Sequence, residues 1–532
     1  MMIRNGDRRR VGGGSYLLPL LSALLLWLAA PGDFGFWPLS FFALVPLFFF
    51  LEQSAFCFLP AKKVFFAGLA FGVVLFVFLL HWIVNVISHY GGLPLPVSVL
   101  ALLLLSVYMA LYPAFFCLAV RQVTSRFPAV VLLLFLPACW VGLDWLRGWA
   151  FTGFPWMDFG CYLASEPFLI QPAALLGHHG VTAMLVFINT GVWLLLSRYI
   201  KCGRFVSLFL VAGIMLYALA SLLPSGDPSG EVQVGIVQGN VSQEDKWSPE
   251  AQKKTVLNYL TLSRSLLHDS ERPDLFVWPE TAMPFYPSAS DLTEDLINFV
   301  RTSETPLLTG VPWFKVIDRQ KKIFNFYNAA LLLAPQEQLD TLYFKSHLVP
   351  FGEYVPLQKV LPFLAPLVES GGNFTPGTIH TPLEIPFTPA GDIAGTQKSI
   401  HAGVLICYES VFPELSREWV NAGANLLVNI TNDAWYGRSS APKHSFAMTI
   451  MRAVETRRAI VRAANTGYSG LILPDGRVQQ RSDLFVPAAE TVTAPLMSGK
   501  TPYVQFGWFF GPLCFLLSIA LFAGSAMCKR VV

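Results

Sequence analysis

The sequence predicts an α-helical membrane domain of about eight spans that carries one α/β domain, and three observations predict it. Hydrophobic residues make up 54% of the 532 positions and charged residues only 13%, far more apolar than a water-soluble domain of ordinary composition. The apolar residues fall in separate runs, most of them near the roughly 20 residues a helix needs to cross a bilayer. One long stretch, residues 224–503, lacks such runs and alternates strand-like with helix-like segments, the pattern of an α/β domain. The net charge of +3 is small, and Lys and Arg sit at the ends of apolar runs instead of on a basic face, which argues against nucleic acid as a partner.

The membrane domain reads in order as follows. Arg4, Arg8, Arg9 and Arg10 precede an apolar run at residues 16–30, a pattern shared with signal peptides. Further runs at 36–51, 64–88, 97–120, 128–145, 181–196, 205–223 and 506–527 make a retained anchor the better reading. The first two runs are short. The sixth is blurred, because apolar sequence begins at Phe168 and breaks at Gly177-His178-His179-Gly180, so the part before the break is expected along the interface. Arg8–Arg10, Lys62 with Lys63, Arg121 with Arg126, Arg198 with Lys201 and Arg204, and Lys529 with Arg530 fall at alternate connections. The positive-inside bias then places both termini in the cytoplasm and residues 224–503 on the opposite face, the periplasm of a bacterial inner membrane. The expected domains are 1–223 with spans one to seven, 224–503, and 504–532 with the last span and a cytoplasmic tail.

The α/β segment follows a turn-rich linker, Pro224-Ser225-Gly226-Asp227-Pro228-Ser229-Gly230. Strands are expected at 232–238, 275–278, 306–311, 328–333, 426–430, 459–463 and 470–473. Helices are expected at 249–268, where Ser248 is placed as N-cap and Pro249 at the first position, at 291–301, near 413–422 and around 444–455. About 280 residues are enough for one domain with a substantial core.

The stretch at the centre of this segment is Gly403-Val404-Leu405-Ile406-Cys407-Tyr408-Glu409-Ser410, an apolar strand that delivers a cysteine to a turn. A strand-to-helix junction near a cation is expected to lower the thiol pKa and make Cys407 a nucleophile; apolar neighbours alone would equally suit an inert core cysteine. Cys407 is the sole cysteine of residues 224–503, and the chain's eight cysteines show neither CxxC nor Cys/His metal spacing. A thiol acting on an acyl group needs a base and a cation or amide donors for the oxyanion. Phe276-Val277-Trp278-Pro279-Glu280 places a carboxylate just past a short apolar strand, and Tyr343-Phe344-Lys345 does the same with an ammonium. Singly, each would read as a solvated surface charge; together with Cys407 they form an ordered Glu, Lys, Cys set. His347 and His444 read as pocket or structural residues, since no metal-ligand spacing surrounds them.

Val277-Trp278-Pro279-Glu280, Phe344-Lys345 with Phe351-Gly352-Glu353-Tyr354-Val355-Pro356, and Ile406-Cys407-Tyr408-Glu409 with Phe412-Pro413-Glu414 resemble the three signatures of the nitrilase superfamily. Gly153-Phe154-Pro155-Trp156, Asn429-Ile430-Thr431-Asn432-Asp433-Ala434-Trp435-Tyr436-Gly437 and Arg462-Ala463-Ala464-Asn465-Thr466-Gly467 extend the match. With them, the chain resembles the bacterial apolipoprotein N-acyltransferases, which carry a nitrilase-like domain between the seventh and eighth of eight spans. The likeness runs over nearly the whole chain and is weakest in the first two spans, residues 370–399 and the tails. It implies an αββα sandwich for residues 224–503. It also implies Glu280 as general base, Lys345 as oxyanion stabiliser, Cys407 as nucleophile and Glu353 as supporting glutamate. Tyr408 and Glu409 match further positions the family needs. Trp247 matches by placement an aromatic near the pocket and reads equally well as an interfacial tryptophan.

The chemistry so implied is a two-step acyl transfer. Cys407 takes the sn-1 acyl chain of a phospholipid, phosphatidylethanolamine being the expected donor, and the α-amine of a diacylglyceryl-cysteine on an apolipoprotein then takes it from the thioester. No cofactor is needed, because thioester-to-amide transfer is downhill. Residues 356–368, PLQKVLPFLAPLV, are apolar but broken by Pro362 and Pro366, which suits either a membrane-dipping arm beside the site or a core-packed loop. Two rivals remain. A membrane-tethered amidase or nitrilase would pass the acyl group to water, and a transporter lined by residues such as Asn85, Asp144 and His178 would tolerate loss of Cys407.

Overall fold

The computed structural model describes the chain apart from residues 1–12, 223–225, 227, 244–245, 269–271, 336–340, 356–372, 388–396 and 529–532. The 356–368 stretch, Arg4, Arg8–Arg10, Lys529 and Arg530 therefore lie outside the described residues. The chain divides into two compact units. One comprises Met1–Ser88, Leu93–Leu223 and Phe506–Val532, the other His89–Gly92 and Pro224–Gln505.

Among the described residues seven helices are long and apolar enough to cross a membrane: Trp37–Phe56, Ala61–Leu80, Leu95–Thr124, Ala129–Thr152, His178–Leu196, Gly203–Ser221 and Pro502–Met527, the last of which begins in the second unit and continues in the first. The first apolar run forms a shorter helix, Gly14–Ala29, and the blurred run before His178 contains another, Pro167–Leu176. In lipid, helices associate through close packing and polar contacts more than through hydrophobicity, and both devices are present. Gly68 and Gly72 stand one turn apart on Ala61–Leu80. A methyl group at Gly72 would lie 2.7 Å from the Ala110 backbone of Leu95–Thr124, so only hydrogen lets these helices meet. Polar staples complete the packing. Asn189 accepts from the Leu44 N–H at 2.8 Å and donates to the Ser40 carbonyl at 2.8 Å. Buried Glu52 accepts from Trp193 Nε1 at 3.1 Å and pairs with Arg198 at 2.7 Å. The Arg147 guanidinium pairs with Asp144 at 3.1 Å and with Asp158, which also bonds His178 at 2.9 Å.

The second unit contains twelve strands among the described residues: β1 Pro228–Gln238, β2 Leu275–Val277, β3 Leu307–Asp318, β4 Ile323–Leu333, β5 Leu342–Phe344, β6 Leu383–Phe387, β7 Lys398–Ile406, β8 Leu426–Thr431, β9 Ile460–Ala464, β10 Gly470–Ile472, β11 Val478–Gln479 and β12 Ala488–Met497. They form two six-stranded sheets, ordered β12-β1-β2-β3-β4-β5 and β11-β10-β9-β8-β7-β6. The central pairs β1–β2, β2–β3, β7–β8 and β8–β9 are parallel, and their strands read as continuous buried runs because both faces are covered. Helix Pro249–Leu266 begins as expected, with Ser248 Oγ accepting from the Ala251 N–H at 3.3 Å and Pro249 in the first turn. Its Val256, Tyr259 and Leu260 pack with Phe299 and Val300 of helix Leu292–Ser303 onto Phe276, Trp278 and Leu331 of the first sheet. Helices Pro413–Asn421 and Ala441–Thr456 belong to the second sheet's half. The result is an αββα sandwich.

Candidate active site

β2 is buried throughout and ends against the helix beneath it. Trp278 stacks on Tyr259 with ring centroids 4.9 Å apart and donates from Nε1 to Ser263 Oγ at 2.9 Å. This fixes the turn that carries Glu280. Neighbouring β3 comes so close that a Cβ at Gly310 would stand 2.5 Å from the Glu280 Cα, and the Gly310 N–H donates to the Pro279 carbonyl at 3.1 Å. Glu280, 6% exposed, accepts from Asn328 Nδ2 at 2.8 Å on Oε1 and from the Asn432 N–H at 2.9 Å on Oε2.

Lys345 follows β5. Its backbone is held on both sides, its N–H donating to the Asn328 carbonyl at 2.9 Å and its carbonyl accepting from the Gly377 N–H at 2.8 Å. The buried Nζ lies 2.9–3.0 Å from the Glu353 carboxylate and 3.8 Å from Glu280 Oε1. Burial alone would lower the ammonium's pKa, but Glu353 first and Glu280 second outweigh it, and the net shift is upward. Lys345 is a fixed cation. Glu353 also accepts from the Val349 N–H at 2.8 Å, and the Asn328 amide reaches both Glu280 and Glu353 at 2.8 Å.

Cys407 ends β7 on the other sheet and opens a one-turn 3₁₀ segment, Cys407–Val411. Its φ is +54°, a left-handed conformation that disfavours a side chain and is the kind of backbone strain that clusters at functional sites. Buried Glu409 anchors the turn. Its Oε2 accepts from the Ile406 N–H at 2.7 Å, and its Oε1 accepts from the Ser346 N–H at 2.7 Å, Ser346 Oγ at 2.8 Å, the His347 N–H at 3.1 Å and Tyr343 Oη at 2.8 Å. One carboxylate thus ties the Lys345 turn of the first sheet to the cysteine turn of the second. Tyr408 packs edge-on to Phe412, with His347 on the same aromatic cluster. Burial and the Lys345 charge push His347 down to about 4, so its imidazole is neutral.

One expectation is overturned. The Cys407 thiol is not acidified: burial, followed by the Glu280 charge, pushes it up to about 12, with Lys345 pulling the other way. The turn therefore holds a protonated thiol.

The structure brings Glu280, Lys345, Glu353, Glu409 and Cys407 together from two sheets. Trp247 stands apart, with its side chain 53% exposed and its backbone carbonyl accepting from Gln252 at 3.2 Å. Sequence reasoning missed Asn328, which bridges the two carboxylates, and the backbone role of Asn432. Asn432 was legible only as part of the Asn429–Gly437 motif, and nothing set Asn328 apart from Asn325 in the same strand.

A family described as carbon-nitrogen hydrolase matches residues 233–494, and one described as the apolipoprotein N-acyltransferase N-terminal domain matches residues 22–191. Fold and match together define a nitrilase-superfamily domain carried by a membrane protein. Among similar proteins is the apolipoprotein N-acyltransferase of Geobacter metallireducens, 35% identical over 524 residues, covering 96% of this chain and 95% of that protein. The enzyme of the same name from Shewanella oneidensis is 33% identical, with 95% and 96% covered, and that from Methylococcus capsulatus is 33% identical, with 92% of each covered. The chain belongs to the apolipoprotein N-acyltransferase family.

Proposed function

We propose that the chain transfers an acyl chain from phospholipid to the N-terminal α-amine of apolipoproteins through a thioester on Cys407. The observation that supports the reading most is the meeting of Glu280 and Lys345 with the strained cysteine turn. Glu280 takes the S–H proton as sulfur attacks the sn-1 carbonyl carbon, and the oxyanion forms against the Lys345 ammonium. Collapse expels the glycerol oxygen, to which Glu280 returns the proton, and a lysophospholipid leaves. In the second step the diacylglyceryl-cysteine amine attacks the thioester and gives its proton to Glu280. The oxyanion forms against Lys345 again, and the departing thiolate recovers the proton. Glu353 and Asn328 hold Lys345 and Glu280 in place, Glu409 and Tyr408 hold the turn, and Trp247 serves as an exposed aromatic at the mouth.

Phosphatidylethanolamine is the donor in this reading. Residues 224–503 form the catalytic domain on the periplasmic side of a bacterial inner membrane, with residues 1–223 and 504–532 as the anchoring domain. The alternating cationic clusters support that orientation. The reaction is tested with a phospholipid bearing a tagged sn-1 chain. Wild type should acquire a hydroxylamine-labile adduct on Cys407 and pass it to a lipoprotein amine, and Cys407→Ala should acquire none. Label persisting in Cys407→Ala would end the assignment. Acyl groups released only as free acid would favour the hydrolase reading instead.

A further inference from the structure

Lys246 is 1% exposed, and among the described residues its Nζ donates to no acceptor. Buried ammonium groups are ordinarily paired, because an unpaired charge loses its hydration without return. Lys345 shows the usual solution, with a carboxylate at 2.9 Å. The described residues on either side of Lys246 are held in place. The Asn240 N–H donates to the Asn465 carbonyl at 2.9 Å, the Val241 N–H to Asn465 Oδ1 at 2.8 Å, and Asn465 Nδ2 returns to the Val241 carbonyl at 2.8 Å. Asn432, whose N–H holds Glu280, donates from Nδ2 to Gln243 Oε1 at 2.7 Å. Beyond Lys246, Gln252 bridges the Trp247 carbonyl to that of Pro284 at 3.2 and 2.9 Å. Lys246 is thus pinned inward beside the Glu280 turn while Trp247 points out. Burial pushes its pKa down to about 8, with Glu280 opposing. Glu280 is itself committed to Asn328 and Asn432, so it leaves the Lys246 donors unused.

We propose that Lys246 is the anion-binding group of the donor site and receives the phosphodiester of the phospholipid whose sn-1 ester Cys407 attacks. The inference rests on the thioester reading above. Ester and phosphodiester are borne on the same glycerol, so a lipid with its ester at the thiol must bring its phosphate close to the Glu280 turn. A lysine is a suitable point charge for it. No proton or bond changes hands at Lys246; it selects the substrate and leaves acyl transfer to Cys407.

The test uses the full-length protein in detergent and compares kcat/KM for thioester formation from phosphatidylglycerol and from diacylglycerol with the same acyl chains. These donors differ only in the phosphodiester headgroup. Lys246→Met should reduce the preference for phosphatidylglycerol about 10- to 100-fold, the range of a hydrogen bond to a charged group, and Lys246→Arg should restore most of it. Equal slowing of both donors would place Lys246 in the chemistry, through Glu280, and overturn the proposal, as would no slowing of either. Inorganic phosphate should not compete at millimolar concentration; if it did, the site would take a free anion and not a lipid. Lys246→Gln carries the same comparison if the Met variant does not fold. If neither folds, lysophosphatidylglycerol must inhibit wild type more strongly than monoacylglycerol, and equal inhibition overturns the proposal. Absence of any wild-type thioester at Cys407 would sink the underlying reading, whereas a thioester insensitive to Lys246 sinks only this one.

Discussion

Two buried charge clusters in this molecule obey the same physics to different ends. In the membrane unit, Arg147 meets Asp144 and Asp158 at bonding distance, and His178 closes on Asp158 at 2.9 Å. In the α/β unit Lys345 also has two carboxylates, but only one at bonding distance: Glu353 lies at 2.9 Å and Glu280 at 3.8 Å. Glu280 is held instead by the Asn328 amide and the Asn432 N–H. The first arrangement spends its charges on each other. The second fixes the cation with one carboxylate and holds the other with neutral donors, and in the proposed reaction it is this second carboxylate that exchanges a proton with the Cys407 thiol.

The largest effect is expected at Arg147. Arg147→Met leaves two carboxylates buried without their cation, a change worth about 3–5 kcal/mol in buried pairs. We expect a large fall in the melting temperature of the detergent-solubilised protein, with thioester formation per folded molecule retained. Lys345→Met reverses the pattern. It removes the oxyanion's cation and should slow thioester formation about 100- to 1,000-fold in single-turnover assays, and wild-type rates would deny the role. The smallest expected effect sharpens the picture of the thiol. Because its pKa is raised to about 12, the thiolate is scarce at neutral pH. Iodoacetamide alkylation of Cys407 should climb about tenfold per pH unit through pH 10 and above without levelling near the ordinary value of about 8.5. A plateau near pH 8 would contradict the buried, protonated thiol.

The sequence made the parallel strands and their helices legible because these are local patterns: continuous apolar runs for β2, β7 and β8, and a serine cap with proline before helix Pro249–Leu266. It concealed β12, whose Ala488–Met497 contains Pro495 and alternates polar with apolar residues as an outer strand paired only with β1. It also shortened β3 and β4, whose far ends are exposed and close on the charged turn from Asp318 to Lys322. Glu280, Lys345 and Cys407 were legible as candidates because each ends an apolar strand in a recognisable motif. Asn328 was not, since its bond to Glu280 joins residues 48 apart and leaves no local trace. The thiol's acidity was misjudged for a related reason. A neighbouring cation is visible in the order of motifs, whereas burial and the Glu280 charge exist only after folding.

Glu280 and Lys345 come from one sheet and Cys407 from the other, and this has a consequence for biosynthesis. Glu280 and Lys345 are synthesised before Cys407, and the Glu409 contacts that join the two halves can close only when both exist. Such long-range contacts form late, because loop-closure entropy opposes them until the docking surfaces are complete. A nascent or half-folded chain therefore carries a cysteine with no base at hand and a base with nothing to deprotonate. Under the proposed reaction, reactivity therefore arrives as the last property of folding, and unfinished molecules are spared acylation of their own thiol by the surrounding esters.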